Sequence, residues 1–114
     1  METRTVNSEQ RQQILQQIGK MNILAISGGR VVGLPDGIEL QVSNGYHVRV
    51  QLLADDTYRV SRVFKRAGKV HDKGHMDGVY CDEVGEMAYF ASCFRNDSGD
   101  WTYGRPDLTT EEKS

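Results

Sequence analysis

Two imidazoles and two thiols, His71, His75, Cys81 and Cys93, fall close together in the second half of the chain. They are the ligand types of a structural zinc site. Their spacing argues against one. Cys81 and Cys93 are twelve residues apart, unlike the C-x2–4-C pairs of such sites. His71 and His75 would share a face only on a helix, and Gly74 between them disfavours a helix. Surface histidines and partly buried cysteines are the favoured reading, and no metal or other cofactor is expected. A disulfide is also disfavoured. If the intervening segment is helical, the two Cα atoms lie ~18 Å apart at 1.5 Å per residue, whereas a bridge needs about 7 Å or less. Cys93 is expected in the core as a small apolar residue.

Other reactive types are explained by local structure. Cys81 adjoins Asp82, Glu83 and Glu86, whose negative field disfavours a thiolate nucleophile. Those three carboxylates could form an acid/base pair or a hard-cation site. Stabilising the positive end of a helix is the simpler role. Ser27-Gly28-Gly29-Arg30 has the composition of a phosphate nest. It follows a predicted helix, however, whose negative end would face the anion. No catalytic residue is assigned, and the chain is expected to be non-enzymatic.

The basic residues are unevenly placed. Residues 46–75 carry seven basic and three acidic side chains, whereas residues 76–114 carry three and nine. His47, Arg49, Arg59, Lys65, Lys69 and Lys73 are candidates for contacting a protein partner or nucleic-acid phosphates. The opposing expectation is that the two halves neutralise each other across the fold. The aromatics among them, Tyr46, Tyr58 and Phe64, are expected to face the core rather than to stack on bases. The overall net charge of −2 also argues against a dedicated nucleic-acid binder.

These side chains need elements to hold them. Asn7 and Gln10 have the spacing of a capping box for a helix that ends at Gly28-Gly29. Ile14, Leu15, Ile18, Met21, Leu24 and Ala25 draw its apolar stripe, with Gly19 a weak point inside it. Arg30–Leu34 reads as a short strand. Pro35-Asp36-Gly37 is a turn in which glycine supplies positive φ. Ile38–Ser43 and Tyr46–Leu52 alternate about the hairpin signal Asn44-Gly45. After the turn at Asp55-Asp56, Thr57–Arg66 is a strand with broken parity: Tyr58, Val60 and Phe64 share one face and Val63 the other. A bulge, or cover on both faces, is implied. Residues 67–78 read as a loop. A second helix is predicted from Asp82, its apolar face formed by Val84, Met87, Ala88, Ala91 and Phe94. A strand through residues 87–94 is the competing reading.

The whole predicts one α+β domain over residues 7–96, with an N-terminal helix, a three- to four-stranded antiparallel meander and a second helix packed on the sheet. Residues 1–6 and 97–114 read as flexible tails, with Trp101 and Tyr103 docking locally. No apolar run approaches the ~20 residues of a membrane span, and the polar N-terminus lacks the apolar core of a secretory signal. Cytoplasmic residence with reduced thiols is therefore expected.

The segments ILAISGGR (23–30), DTYRVSRVF (56–64) and VYCDEVGEMAYFASCF (79–94) resemble small uncharacterised proteins of actinobacteria and their bacteriophages. The resemblance spans most of residues 21–96. It implies an accessory protein, phage-borne or cytoplasmic, and transfers no site residue. The function expected is a non-enzymatic interaction module that binds a host protein or itself, through the polar sheet face around Arg49 and Arg59 or an uncovered sheet edge. The alternatives are nucleic-acid binding through residues 46–75, and a small metal protein or enzyme.

Overall fold

The capping box forms as its spacing requires. Asn7 Oδ1 accepts from Gln10 N, and Gln10 Oε1 accepts from Asn7 N. It starts helix α1, Ser8–Ile18. The structure is a computed structural model and describes residues 2–102. The expected single helix is two. Gly19 adopts φ 93° and ψ 140°, which no helix accommodates, and α2 restarts at Lys20–Ser27. Gly28, at φ 65°, caps α2 by donating to Leu24 O. The break also ends the predicted apolar stripe. Ile14 and Ile18 are buried, but on α2 the buried positions are Ile26 and Ser27, and Met21, Leu24 and Ala25 are exposed.

Five strands follow in a meander: β1 Val31–Leu34, β2 Gly37–Ser43, β3 Tyr46–Leu52, β4 Tyr58–Arg66 and β5 Lys69–Val79. They form one antiparallel sheet in sequence order. The Asn44-Gly45 turn has φ of 55° and 87°, the mirror-image turn that suits strand twist. Gly37 corrects a reason rather than a position. Its φ is not positive; a Cβ there would lie 1.9 Å from Val50 O, so close backbone approach demands glycine.

The fifth strand corrects the reading of residues 67–78 as a loop. Ala67 and Gly68, with φ of 54° and 78°, form a second turn of the Asn-Gly kind without its signature asparagine. The polar composition of β5 belongs to an edge strand that is exposed along most of its length. Its ladder with β4 shifts register twice, and Val63 is buried on the face opposite Val60. The extra residue lies in β5 at both shifts, and β4 pairs regularly with β3, so cover on both faces rather than a bulge in β4 explains the broken parity.

The second helix, α3, spans Val84–Cys93, which settles its residues as helix rather than strand. Glu83, not Asp82, is its N-cap, and it makes no side-chain cap bond to the helix. Gly85 lets α3 meet the α1–α2 break: a Cβ there would lie 2.3 Å from Ile18 O. The three helices cover one face of the sheet, giving the α+β architecture expected, with Ile38, Leu40, Val48, Val50 and Val60 beneath Ile14, Ile18, Val84, Ala88 and Ala91.

Residues 2–6 are part of this fold rather than a loose tail. Thr3 bridges to Leu53, Arg4 N donates to Leu52 O, and Val6 is buried. Residues 97–101 likewise return to the sheet. Trp101 is buried, bridges to Arg95 and donates its N–H to Lys73 O. Met1 and the expectations for Tyr103 and residues 103–114 lie outside the described residues.

Arg62 links these pieces, and sequence reasoning gave it no role. It lies on the helix-covered face of β4, buried, with its guanidinium 4.2 Å from the Tyr46 ring centroid. Its Nε donates to Gly99 O, and Nη1 donates to Ala91 O and Ser92 O. The cation thus satisfies the carbonyls that end α3 and complements the negative helix terminus. Burial holds its pKa below the ordinary arginine value.

Candidate functional site

The sheet face opposite the helices carries most of the predicted binding residues. Alternation along β2 and β3 sends Glu39, His47 and Arg49 to this side. Glu39 is only 1% exposed. Its Oε1 accepts from Arg49 Nε at 2.8 Å and its Oε2 from Lys65 Nζ at 2.7 Å. His47 Nδ1 lies 3.3 Å from Oε2 in an orientation that makes no hydrogen bond. Burial alone would raise the Glu39 pKa, but the bonds from Lys65 and Arg49 outweigh it and hold the carboxyl below its ordinary value. Burial lowers the pKa of His47, and Glu39 opposes that only in part, so neutral imidazole is favoured.

The other candidates find acidic partners too. Arg59 makes a two-point pair with Asp77, from Nε at 2.7 Å and Nη2 at 3.0 Å. Lys73 Nζ lies 3.2 Å from Asp100. Lys69 is exposed beside the β4–β5 turn. Four of the six basic candidates, Arg49, Arg59, Lys65 and Lys73, are thus paired with carboxylates, two of which, Asp77 and Asp100, come from the acidic C-terminal half. The basic stretch is an internal charge lattice more than an exposed cationic stripe. A shallow cleft of about 280 Å³ opens between Arg49, Arg59, Ser61, Val70 and His75. Its rim is polar and its charges are already balanced in part by Asp72 and Asp77.

The candidate metal ligands do not converge. His71 packs near Phe64, and His75 Nδ1 is 2.7 Å from Asp72 on the same strand. Cys81 is exposed, and Cys93 is half-buried beside Ser92 rather than in the core. Neither is in a disulfide. Among the described residues no three His, Cys, Asp or Glu side chains form a group able to hold a metal ion. Asp82, Glu83 and Glu86 are exposed about the start of α3, and Glu83 Oε1 accepts from Tyr80 N.

A larger concavity lies elsewhere, on a surface the sequence did not single out. A groove of about 520 Å³ runs between α1 and α2, lined by Leu15, Gln16, Lys20, Ile23, Leu24 and Gly29. Met21 is 79% exposed and Leu24 47%. Chain continuity carries this surface into β1, where Val31 and Val32 are also exposed. Val31 pairs with Leu40 and so faces the helix side, whereas Val32 pairs with Glu39 and faces the open side. Gly19 was the available signal. Once it breaks the helix, a stripe drawn across it cannot stay on one face.

No helix among the described residues is long and apolar enough to cross a membrane. Comparison with protein-family models, curated proteins and solved structures found no match to this chain.

Proposed function

We propose that this protein is a non-enzymatic accessory interaction module that engages another polypeptide through the surface formed by α2 and β1. The observation that carries the reading is the coincidence of an apolar groove with a sheet edge, both exposed. Leu24 lines the one, with Met21 exposed on the same helix, and Val31 and Val32 belong to the other. Exposed apolar surface of this kind marks protein–protein contact. An edge strand adds unpaired backbone donors and acceptors that another strand can satisfy. The partner chemistry that fits is therefore an extended, apolar segment. The internal pairing of Arg49, Arg59, Lys65 and Lys73 supports a polypeptide over a polyanion, because each engaged cation would have to leave its carboxylate to bind phosphate.

Photo-crosslinking tests the reading. A photoreactive side chain at position 21 should give a discrete polypeptide adduct, whereas the same probe at position 69, beside the far sheet edge, should not. Equal labelling at both positions, or none at position 21, would refute the proposal.

A further inference from the structure

We infer that the pocket between the β2–β3 turn and the C-terminal end of α3 binds a tetrahedral oxyanion of the phosphate class, with Arg62 at its floor and Arg95 at its rim. The site is separate from the α2–β1 surface and goes beyond the interaction reading above.

Two neighbouring guanidinium groups without a carboxylate carry the inference. A pocket of about 160 Å³ is lined by Ser43, Asn44, Tyr46, Arg62, Ser92 and Arg95. Arg62 is 2% exposed. A charge buried this far is ordinarily paired with an opposite one. Glu39 follows that rule on the other face of the sheet, with Arg49 and Lys65 against it. Among the described residues neither Arg62 nor Arg95 forms an ion pair. Burial is the main cause that depresses the Arg62 pKa, and repulsion from Arg95 is the next. Asp100 opposes them with a smaller effect, and Lys73 Nζ already lies 3.2 Å from it.

The donors that remain select the ligand. The carbonyls of Gly99, Ala91 and Ser92 take Nε and Nη1 of Arg62 but bring no unit negative charge. The C-terminus of α3 carries roughly −0.5 charge, which two full positive charges outweigh. Nη2 of Arg62 makes no hydrogen bond to a described residue, and neither do the Tyr46 and Ser43 hydroxyls. Arg95 commits only Nη1, to Cys93 O at 3.2 Å. A planar carboxylate is best held by two parallel bonds from one guanidinium. Arg62 has one nitrogen left and cannot offer that fork. Single donors from β2, β3, β4 and the segment after α3 suit the oxygens of a tetrahedral anion. The site is also held in advance of any ligand. A Cβ on Gly99 would lie 2.2 Å from Tyr46 Oη, so the returning 97–101 segment packs against that ring, while Gly99 O holds the guanidinium 4.2 Å from its centroid. Such preorganisation lowers the ordering cost of binding.

Titration of the full chain with inorganic phosphate, at a constant ionic strength of about 0.15 M, tests the site through the Arg62 and Arg95 Nε–H signals in proton–nitrogen correlation NMR spectra. Saturable shifts of both are expected, with half-saturation at about 1 mM or below. Acetate should bind more weakly, and equal affinity for acetate would overturn the phosphate class. Methyl phosphate separates the two sources of such a group: retained affinity supports a phosphate ester on a larger ligand, and lost affinity supports the free anion. Arg95→Gln, at an exposed position, should raise the dissociation constant about tenfold. Tyr46→Phe, which keeps the ring beneath Arg62 and removes only its hydroxyl, should also raise it. Arg30→Gln, on the α2–β1 connection, should leave it unchanged. Circular dichroism verifies that each variant is folded. The absence of a saturable shift, or an equal loss in Arg30→Gln and Arg95→Gln, would overturn the site.

Discussion

Replacing Glu39 by glutamine removes the charge about which one face of the sheet is organised. The carboxylate is almost wholly buried and accepts from Arg49 and Lys65 at 2.8 and 2.7 Å, with His47 beside it. Hydrogen bonds to charged groups contribute about 1.5–3 kcal/mol each, and stripping one partner from a fully buried ion pair costs about 3–5 kcal/mol. Arg49 and Lys65 are themselves part-exposed and can rehydrate, and glutamine keeps one acceptor, so the smaller figure applies. Glu39→Gln should therefore destabilise the fold by about 2–3 kcal/mol at pH 7, or roughly 10 °C in Tm for a domain of this size. The pH dependence gives a second readout. Because the folded pKa of Glu39 is depressed, its stabilisation is complete above the unfolded value and is lost as pH falls through the folded one. His47 is depressed as well, so its contribution is also present above its unfolded pKa and lost toward acid. The difference between wild type and variant should thus be greatest near neutrality and shrink in acid. Removing Glu39 also removes the charge that partly raises His47, so the imidazole pKa should fall further in the variant. Urea denaturation at several pH values, with NMR titration of His47, measures both effects. A stability change under about 0.5 kcal/mol at pH 7, well below the bonds being removed, or an unshifted His47, would refute the buried charge cluster.

Arg62→Met should cost about 3 kcal/mol, since it strands three carbonyl contacts at Gly99, Ala91 and Ser92; Trp101 fluorescence during urea titration should report loosening of the 95–101 segment first. Gly37→Ala should cost about 3 kcal/mol or more, because the new Cβ would overlap Val50 O and the β2–β3 backbones must part; an unchanged thermal midpoint would contradict the close approach. Ala67→Asn should stabilise by up to about 1 kcal/mol, since Ala67 has positive φ and asparagine tolerates that region better; a destabilised variant by chemical denaturation would contradict the turn geometry.

Local signals were legible where one residue pair sets the geometry. The Asn7–Gln10 box, the Gly28 cap and the Asn44-Gly45 turn each depend on backbone groups a few residues away, and each occurs where its sequence indicates. Signals that depend on distant partners were not legible. Gly19 reads as a mild helix weakness, yet the helix breaks completely there, and Gly85, more than sixty residues on, packs against the neighbouring Ile18 O. Ala67-Gly68 lacks the composition of a tight turn, and β5 lacks apolar alternation because its outward edge meets solvent, so pairing with β4 overrides its propensity. The same limit governs the surface. The basic residues were visible, but their carboxylate partners lie 10 to 27 positions away and become neighbours only through strand register or, for Asp100, through the return of the 95–101 segment to β5. Met21 and Leu24 read as core residues until the helix break turned them outward.

Photo-crosslinking from positions 21 and 69 reports most directly on whether the exposed surface of α2 and β1 is where this chain meets another polypeptide. A discrete polypeptide adduct from position 21 alone is the predicted result. Equal labelling from both positions, or no adduct from position 21, would contradict the account.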